Sequence, residues 1–185
     1  NNSVAYKGKP EMGTFMREWV SLYESKSGER GIFNRKAARD QAAKNGRREI
    51  DHDFGCNPCS EIILRPYQFC NLSEVVVRAS DTQQTLTEKV RLATILGTFQ
   101  STLTDFKYLR TVWKKNTEEE RLLGVSLTGI MDNAMMSGKS AHLGMNIGAT
   151  LHALRVEAVK TNADLAAELD IPISTAITCV KPSGT

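Results

Sequence analysis

Hydrophobic residues recur along much of the chain at three- and four-residue spacing, the period of a helix with one buried face. The spacing predicts a helix from Pro10, a second capped by Asp81 or Thr82 that runs to about Phe106, and a third from about Leu143 to Leu169. A shorter polar helix is expected in "NRKAARDQAAKNG", with Asn34 as its cap. Another is expected after Asn116, where "TEEE" would place carboxylates in the first turn and favour the helix dipole.

Four short apolar segments rich in β-branched residues predict strands. They are "SEIILR", "LSEVVVR", "LLGVSLTGIMD" and "TAITCVK", and the loop "PSGT" follows the last of them. Because these segments alternate with long helices, we expect an α/β class with a parallel sheet or a barrel.

Composition narrows the classes of function. The 185 residues suffice for one domain with a core or for part of a larger one. The net charge of +3 is small, and Asp40 interrupts the densest basic run, so we expect no nucleic-acid partner. No apolar run approaches the roughly 20 residues that span a bilayer, and no secretory signal is visible. We therefore expect no membrane role and a reducing, cytoplasmic setting.

Three of the four cysteines lie close together, at Cys56, Cys59 and Cys70. In a reducing compartment such cysteines are more often free, metal-bound or catalytic than disulfide-bonded. The first two form a C-x-x-C, but neither Cys70 nor His52 completes a second pair of zinc ligands, and Cys179 is distant in sequence. A thioredoxin-like pair should open a helix, whereas a strand is expected here. Zinc, a redox pair and plain buried cysteines all stay open on these residues alone.

Side-chain alternation offers a further reading of the same stretch. In an extended segment, residues two apart share one face. Asn57, Cys59 and Glu61 would then point together at one ligand, and Cys56 would point the other way. This arrangement argues against pairing of Cys56 with Cys59.

Several segments resemble ribonucleotide reductases. "NPCSEI" followed by "FCNLSEV" looks like the active-site segment of that family, most of all in the monomeric, adenosylcobalamin-dependent class II ribonucleoside-triphosphate reductases. "NNSVAY", "ERLLGVSLTGIMD" and "CVKPSGT" resemble further segments, in the family's order and across nearly the whole chain. The resemblance implies that residues 1–185 are a partial catalytic domain from a ten-stranded α/β barrel with Cys59 on a central finger loop. It also implies an internal fragment of a longer chain, inactive alone.

The resemblance carries roles residue by residue. Cys59 matches the cysteine that becomes a thiyl radical and takes the 3′-hydrogen of the ribose. Glu61 matches the carboxylate that accepts the 3′-hydroxyl proton, and Asn57 the asparagine that binds the substrate hydroxyls. Cys70 matches one of two cysteines that supply the reducing electrons and end as a disulfide, its partner lying earlier in the family's chain. Cys56 matches no role.

The last loop would hold the substrate phosphates in this family. Its residues are Pro182, Ser183, Gly184 and Thr185, with Lys181 adding charge. Gly184 would let the backbone approach an anion, and a helix that followed would offer free N–H groups. No metal-ligating residues are expected.

The resemblance also implies cofactors and partners. Adenosylcobalamin would be the radical source, although the chain shows no cobalamin motif, and an external dithiol such as thioredoxin would be the reductant. A ribonucleotide substrate and nucleotide effectors are the other expected partners. Two alternatives remain: a class I or class III reductase with another radical source, and a non-catalytic α/β module whose C-x-x-C binds zinc or cycles as a thiol switch.

Overall fold

The computed structural model describes residues 9–27, 31–139 and 146–182. The chain divides into two compact units, Asn1–Asn34 and Arg35–Thr185. In the described residues the elements are α1 (Met12–Ser25), α2 (Arg35–Ala43), β1 (Gly55–Cys56), β2 (Ile63–Leu64), β3 (Leu72–Val76), α3 (Gln83–Gln100), α4 (Thr111–Glu120), β4 (Gly124–Thr128), a 3₁₀ turn (Ile130–Asp132) and α5 (Ile147–Glu168). The fold is mixed α/β, which confirms the predicted class.

The first unit contributes α1. Its apolar residues have helical spacing as predicted, and the rings of Phe15 and Trp19 lie 6.2 Å apart. The helix ends where Lys26 adopts a left-handed conformation with φ of 47°. No residue of α1 is buried.

The core of the second unit lies between a parallel strand pair and two helices. β3 runs parallel to β4 in a register that pairs Leu72 with Gly124. Val125 forms one further parallel bridge, to Thr178. α3 contacts β3, β4 and α5. The buried apolar cluster consists of Val75, Val77, Leu86, Val90, Ala93, Leu123, Val125, Leu127, Met136, Leu154, Ala158 and Ile177.

The two long helices begin at side-chain caps. The Thr82 side chain accepts a hydrogen bond from the Thr85 amide, and the Thr82 amide donates to Thr85 Oγ1, so the predicted cap is a capping box. Asn146 caps α5 through the amides of Gly148 and Ala149. Helix α3 ends at Gln100, six residues before the predicted end.

Two predicted strands are shorter in the structure. In "SEIILR" only Ile63–Leu64 is a strand, and it pairs antiparallel with Gly55–Cys56 as a small hairpin. In "TAITCVK" a single bridge at Thr178 forms, although backbone bonds from the Val125 amide to Ile177 and from the Cys179 amide to Val125 hold the segment beside β4.

The prediction for the helix after Asn116 was wrong in its position. Helix α4 begins at Thr111, so the acidic run lies at its carboxyl end, where the dipole disfavours negative charge. Two arginines offset this cost: Arg65 pairs with Glu119 at 2.9 Å, and Arg48 pairs with Glu120 at 2.7 Å. These tertiary ion pairs therefore stabilise an acidic carboxyl end, which the helix dipole alone would not predict.

The strands described here form two sheets of two strands each. A ten-stranded barrel needs more strands than these and stays a prediction. Among the described residues, no helix has the length and hydrophobicity needed to cross a membrane.

Candidate active site

The loop between β1 and β2 carries the predicted site residues, and it is a tight turn. The Ser60 amide donates to the Asn57 carbonyl at 2.9 Å, with Pro58 at the second position, where turns favour proline. Ser60 has a φ of 66°. The prediction of an extended segment was therefore wrong, because the Asn-Pro pair starts a turn.

Asn57 holds this loop together. Its side-chain Oδ1 accepts a hydrogen bond from the Ile62 amide at 3.0 Å, and its own amide donates to the Ile62 carbonyl at 3.3 Å. The residue is 6% exposed. Asn57 therefore braces the loop with its carbonyl oxygen, a role that the sequence did not suggest.

Cys59 and Glu61 both contact the ammonium of Lys181. Lys181 Nζ lies 3.3 Å from Glu61 Oε1 and 3.7 Å from Cys59 Sγ. Cys59 is exposed at the tip of the turn, whereas the Glu61 side chain is only 4% exposed. The turn thus brings the predicted thiol and carboxylate together, with Lys181 between them.

The electrostatics around Glu61 keep its carboxylate ionised. Burial alone would raise the pKa of Glu61, but its own amide, Asn57 and the ammonium of Lys181 together hold that pKa below the ordinary value. Its second oxygen, Oε2, is buried and has no hydrogen-bond partner among the described residues. A buried carboxylate oxygen with no donor is available to accept a hydrogen bond from a ligand.

The loop lies on the sheet face turned away from the helices. Ser73 and Val75 of β3 face α3, since Ser73 Oγ donates to the Ala93 carbonyl and Val75 belongs to the core. Alternation therefore turns Leu72, Gly124 and Ser126 to the opposite face. A Cβ on Gly124 would lie 2.5 Å from Leu72 Cδ2, 3.1 Å from Cys179 Sγ and 3.3 Å from Ile62 Cδ1, so glycine makes room for the loop and for the thiol.

Cys179 is a site residue that the sequence reasoning missed. Burial and the charge of Glu61 raise the pKa of Cys179 to about 11, although Lys181 and Ser126 act in the opposite direction. Its thiol therefore stays protonated at neutral pH. Strand alternation in "TCVK" is the signal that could have found it, because Cys179 and Lys181 are two residues apart and both reach the face that carries Ser126.

Cys70 stands just before β3 and is exposed. Cys70 lies close enough to Cys179 that its charge helps to raise the pKa of that thiol. Cys70 also lines a surface cavity of about 300 Å³ beside Phe69 and Phe106. All four cysteines are free thiols. Cys56 contacts Ser60 Oγ at 3.6 Å and makes no contact that assigns it a role.

The predicted phosphate loop is only partly described. Ser183, Gly184 and Thr185 lie outside the described residues, and Pro182 is exposed. The prediction that Lys181 adds charge for the phosphates does not match its position, since its ammonium faces Cys59 and Glu61. Its amide donates to Ser126 Oγ at 2.9 Å, which ties the segment to β4.

The two cavities given below identify no binding site for adenosylcobalamin at Cys59 or Glu61 of the described residues. The two surface cavities near 470 and 300 Å³ are lined by α4 with Pro172 and by the Cys70 region, and neither includes Cys59 or Glu61. Within the same part of the chain, no three His, Cys, Asp or Glu residues are grouped as metal ligands would be.

Comparisons of the chain with protein-family models, with curated proteins and with solved structures found no match. Support for a function therefore comes from the residues of this chain.

Proposed function

We propose that this chain, as part of a full-length enzyme, reduces ribonucleoside triphosphates to 2′-deoxyribonucleoside triphosphates by a thiyl-radical mechanism. One observation carries the proposal: the exposed thiol of Cys59 and the buried, ionised carboxylate of Glu61 lie on one turn and meet at Lys181. Hydrogen abstraction from a sugar carbon needs a sulfur radical, and loss of the neighbouring hydroxyl proton needs a base. The motif resemblance supplies the substrate class.

The first step uses Cys59 and Glu61. The Cys59 thiyl takes the 3′-hydrogen atom, so a C–H bond breaks and an S–H bond forms, leaving the unpaired electron on the sugar. Glu61 accepts the 3′-hydroxyl proton through Oε2, the oxygen to which no described residue donates. The low pKa of Glu61 keeps it in the form that can accept this proton.

The second step removes the 2′-hydroxyl as water. Cys70 supplies the proton for the leaving group, and the second thiol of the dithiol gives its hydrogen to C2′. The dithiol thereby loses two electrons and becomes a disulfide, and Glu61 returns its proton to the 3′-oxygen. The hydrogen atom then returns from Cys59 to C3′, which regenerates the thiyl. The balance is ribonucleotide plus dithiol giving deoxyribonucleotide, disulfide and water. A thioredoxin-like protein would restore the dithiol by exchange.

The remaining parts of the proposal rest on the resemblance. The substrate phosphates would bind to Pro182, Ser183, Gly184 and Thr185, and nucleotides would act as effectors. The chain would form part of a ten-stranded barrel whose other strands come from the rest of the polypeptide. The enzyme would be cytoplasmic. Adenosylcobalamin would supply the radical. The two cavities described above identify no binding site for it, so the steps above begin at the thiyl state.

The test is an assay of the full-length chain that carries these residues, with adenosylcobalamin, a dithiol and a ribonucleoside triphosphate. We expect the deoxynucleotide product, and we expect none when the cofactor or the dithiol is left out. No product under any of these conditions would overturn the proposal. Product formed without the cofactor would show that the radical comes from another source. The class II subclass would then be rejected.

The zinc alternative is decided separately by metal analysis. Stoichiometric zinc in the purified protein that disappears in Cys56→Ser would favour a metal-binding module over a reductase. The cysteine geometry in the described residues gives this alternative no support, since Cys56 faces Ser60.

A further inference from the structure

Lys181 joins two parts of the second unit that are far apart in sequence. Its ammonium contacts Glu61 and Cys59, which precede it by 120 and 122 residues. Its amide is held by Ser126 on β4, and the neighbouring Cys179 amide donates to the Val125 carbonyl at 3.1 Å. The sheet thus fixes the lysine backbone, and the ammonium reaches across to the loop.

We propose that Lys181 is a positioning residue of the site: it holds Glu61 Oε1 and Cys59 Sγ at one point and leaves Glu61 Oε2 as the oxygen that meets the substrate hydroxyl. This inference rests on the proposed reductase function.

The two carboxylate oxygens of Glu61 differ in their contacts. Oε1 is engaged by Lys181 at 3.3 Å, whereas Oε2 is buried and has no hydrogen-bond partner in the part of the chain that the structure describes. The Glu61 amide and Asn57 also lower the pKa of this carboxylate. A side chain that is 4% exposed cannot rely on water to complete its hydrogen bonds. A substrate hydroxyl that donates to Oε2 would satisfy this oxygen, and transfer of its proton would break the O–H bond and form a neutral carboxylic acid.

The charge of Lys181 has a second consequence. A buried carboxylate tends to take up a proton, and a nearby ammonium opposes this. The titratable groups that face Glu61 are Lys181 and Cys179, with Cys59 on the other side of the ammonium. Cys179 stays protonated, so Lys181 is the cation that balances the Glu61 charge.

The same contacts argue against a phosphate role for this ammonium. Its Nζ is directed at Glu61 and Cys59, and its pKa is raised first by the hydrogen bond and charge of Glu61. A lysine that bound the substrate phosphates would chiefly affect KM. A lysine that positions the base and the thiol would chiefly affect kcat. The two roles are therefore separable by kinetics.

The experiment compares Lys181→Met and Lys181→Arg in the full-length chain, with Lys160→Met as the control. Lys160 lies on α5 and pairs with Asp164 at the surface, so its loss should leave turnover unchanged. We expect Lys181→Met to lower kcat about tenfold or more through lost positioning, with little change in KM. We expect Lys181→Arg to recover part of the loss, because it keeps the charge.

The pH profile and a direct titration complete the test. Without the ammonium, the acid limb of kcat/KM should move to higher pH. The carboxyl carbon of Glu61, followed by NMR in the same variants, should titrate at higher pH in Lys181→Met than in the parent, and Lys181→Arg should restore the low value.

The outcomes separate the two proposals. Unchanged kcat and acid limb in Lys181→Met, or a raised KM with unchanged kcat, would overturn the positioning role while the reductase function stood. If the parent chain had no reductase activity, the proposed function would fail, and an unshifted Glu61 titration in Lys181→Met would then overturn the Lys181 inference as well.

Discussion

Glu120 is the centre of a buried charge cluster, and its neutralisation gives a sharp test of the fold. The Glu120 side chain is 0% exposed and receives hydrogen bonds from Arg48 Nε and Nη2, both at 2.7 Å, and from Gln68 Nε2 at 2.6 Å. Arg65 Nε adds a contact of 3.2 Å to Oε1. Glu120→Gln keeps the shape of the side chain but leaves two buried guanidinium groups beside a neutral amide.

The expected cost follows from the burial of these partners. The side chains of Arg48 and Arg65 are 3% and 8% exposed, so water cannot replace the lost carboxylate. Breaking such a buried pair costs about 3–5 kcal/mol in the free energy of unfolding. At about 2–4 °C per kcal/mol for a chain of this size, the melting temperature should fall by roughly 6–20 °C.

Trp113 provides the assay. It lies on α4 with Glu120, and its ring centroid is 4.6 Å from that of Phe69, so its fluorescence should report unfolding around the cluster. Trp19 is the other tryptophan and belongs to the first unit. A Trp19→Phe background therefore isolates the signal during thermal unfolding.

The neighbouring carboxylate is the matched control. Glu119 is 45% exposed and pairs with Arg65 Nη1 at 2.9 Å. Glu119→Gln should cost less than about 1 kcal/mol, because exposed pairs contribute little. A melting temperature for Glu120→Gln within about 2 °C of the parent, or equal losses in the two variants, would refute the reasoning.

Two further predictions follow from the geometry around β4. Gly129 has a φ of 75°, and a Cβ there would lie 2.4 Å from the Val77 carbonyl oxygen. Gly129→Ala should therefore lower the melting temperature by more than Gly138→Ala, where φ is 76° but no described atom lies within 4 Å of the added Cβ. Equal losses would contradict the clash. With a pKa of about 11, Cys179 should react with iodoacetamide at pH 8 more slowly than the exposed Cys59 and Cys70, as peptide mass spectrometry would show, and its rate should rise about tenfold per pH unit. Labelling of Cys179 as fast as Cys59 would show that its thiol is not protected.

The chain's periodicity was sufficient to predict the helices that build the core. Leu86, Val90 and Ala93 recur at helical spacing and are buried in α3. The prediction was wrong for Leu92, Leu96 and Phe99 of the same helix, which are exposed. The position of a helix was harder to predict where tertiary contacts determine it. The acidic end of α4 is stabilised by Arg48 and Arg65, which no local rule links to that helix.

The proximity of Cys59 and Glu61 was predicted from the sequence, whereas the geometry that brings them together was not. Cys59 and Glu61 do come together, but through a turn started by Pro58 and not through an extended segment. Lys181 and Cys179 reach the site because their segment lies beside β4, a pairing over more than fifty residues of sequence that alternation alone cannot establish. Turn chemistry at Pro58 was readable from the sequence and was missed.

The central claim is that Cys59 carries the radical, and its direct test is Cys59→Ser in the full-length chain with Cys56→Ser as the control. Both changes replace one sulfur by oxygen on the same hairpin, and Cys59 is exposed, so both variants should fold like the parent. We predict that Cys56→Ser still forms deoxynucleotide and that Cys59→Ser forms none, because a serine hydroxyl does not supply a thiyl. Turnover that survives in Cys59→Ser would contradict the account.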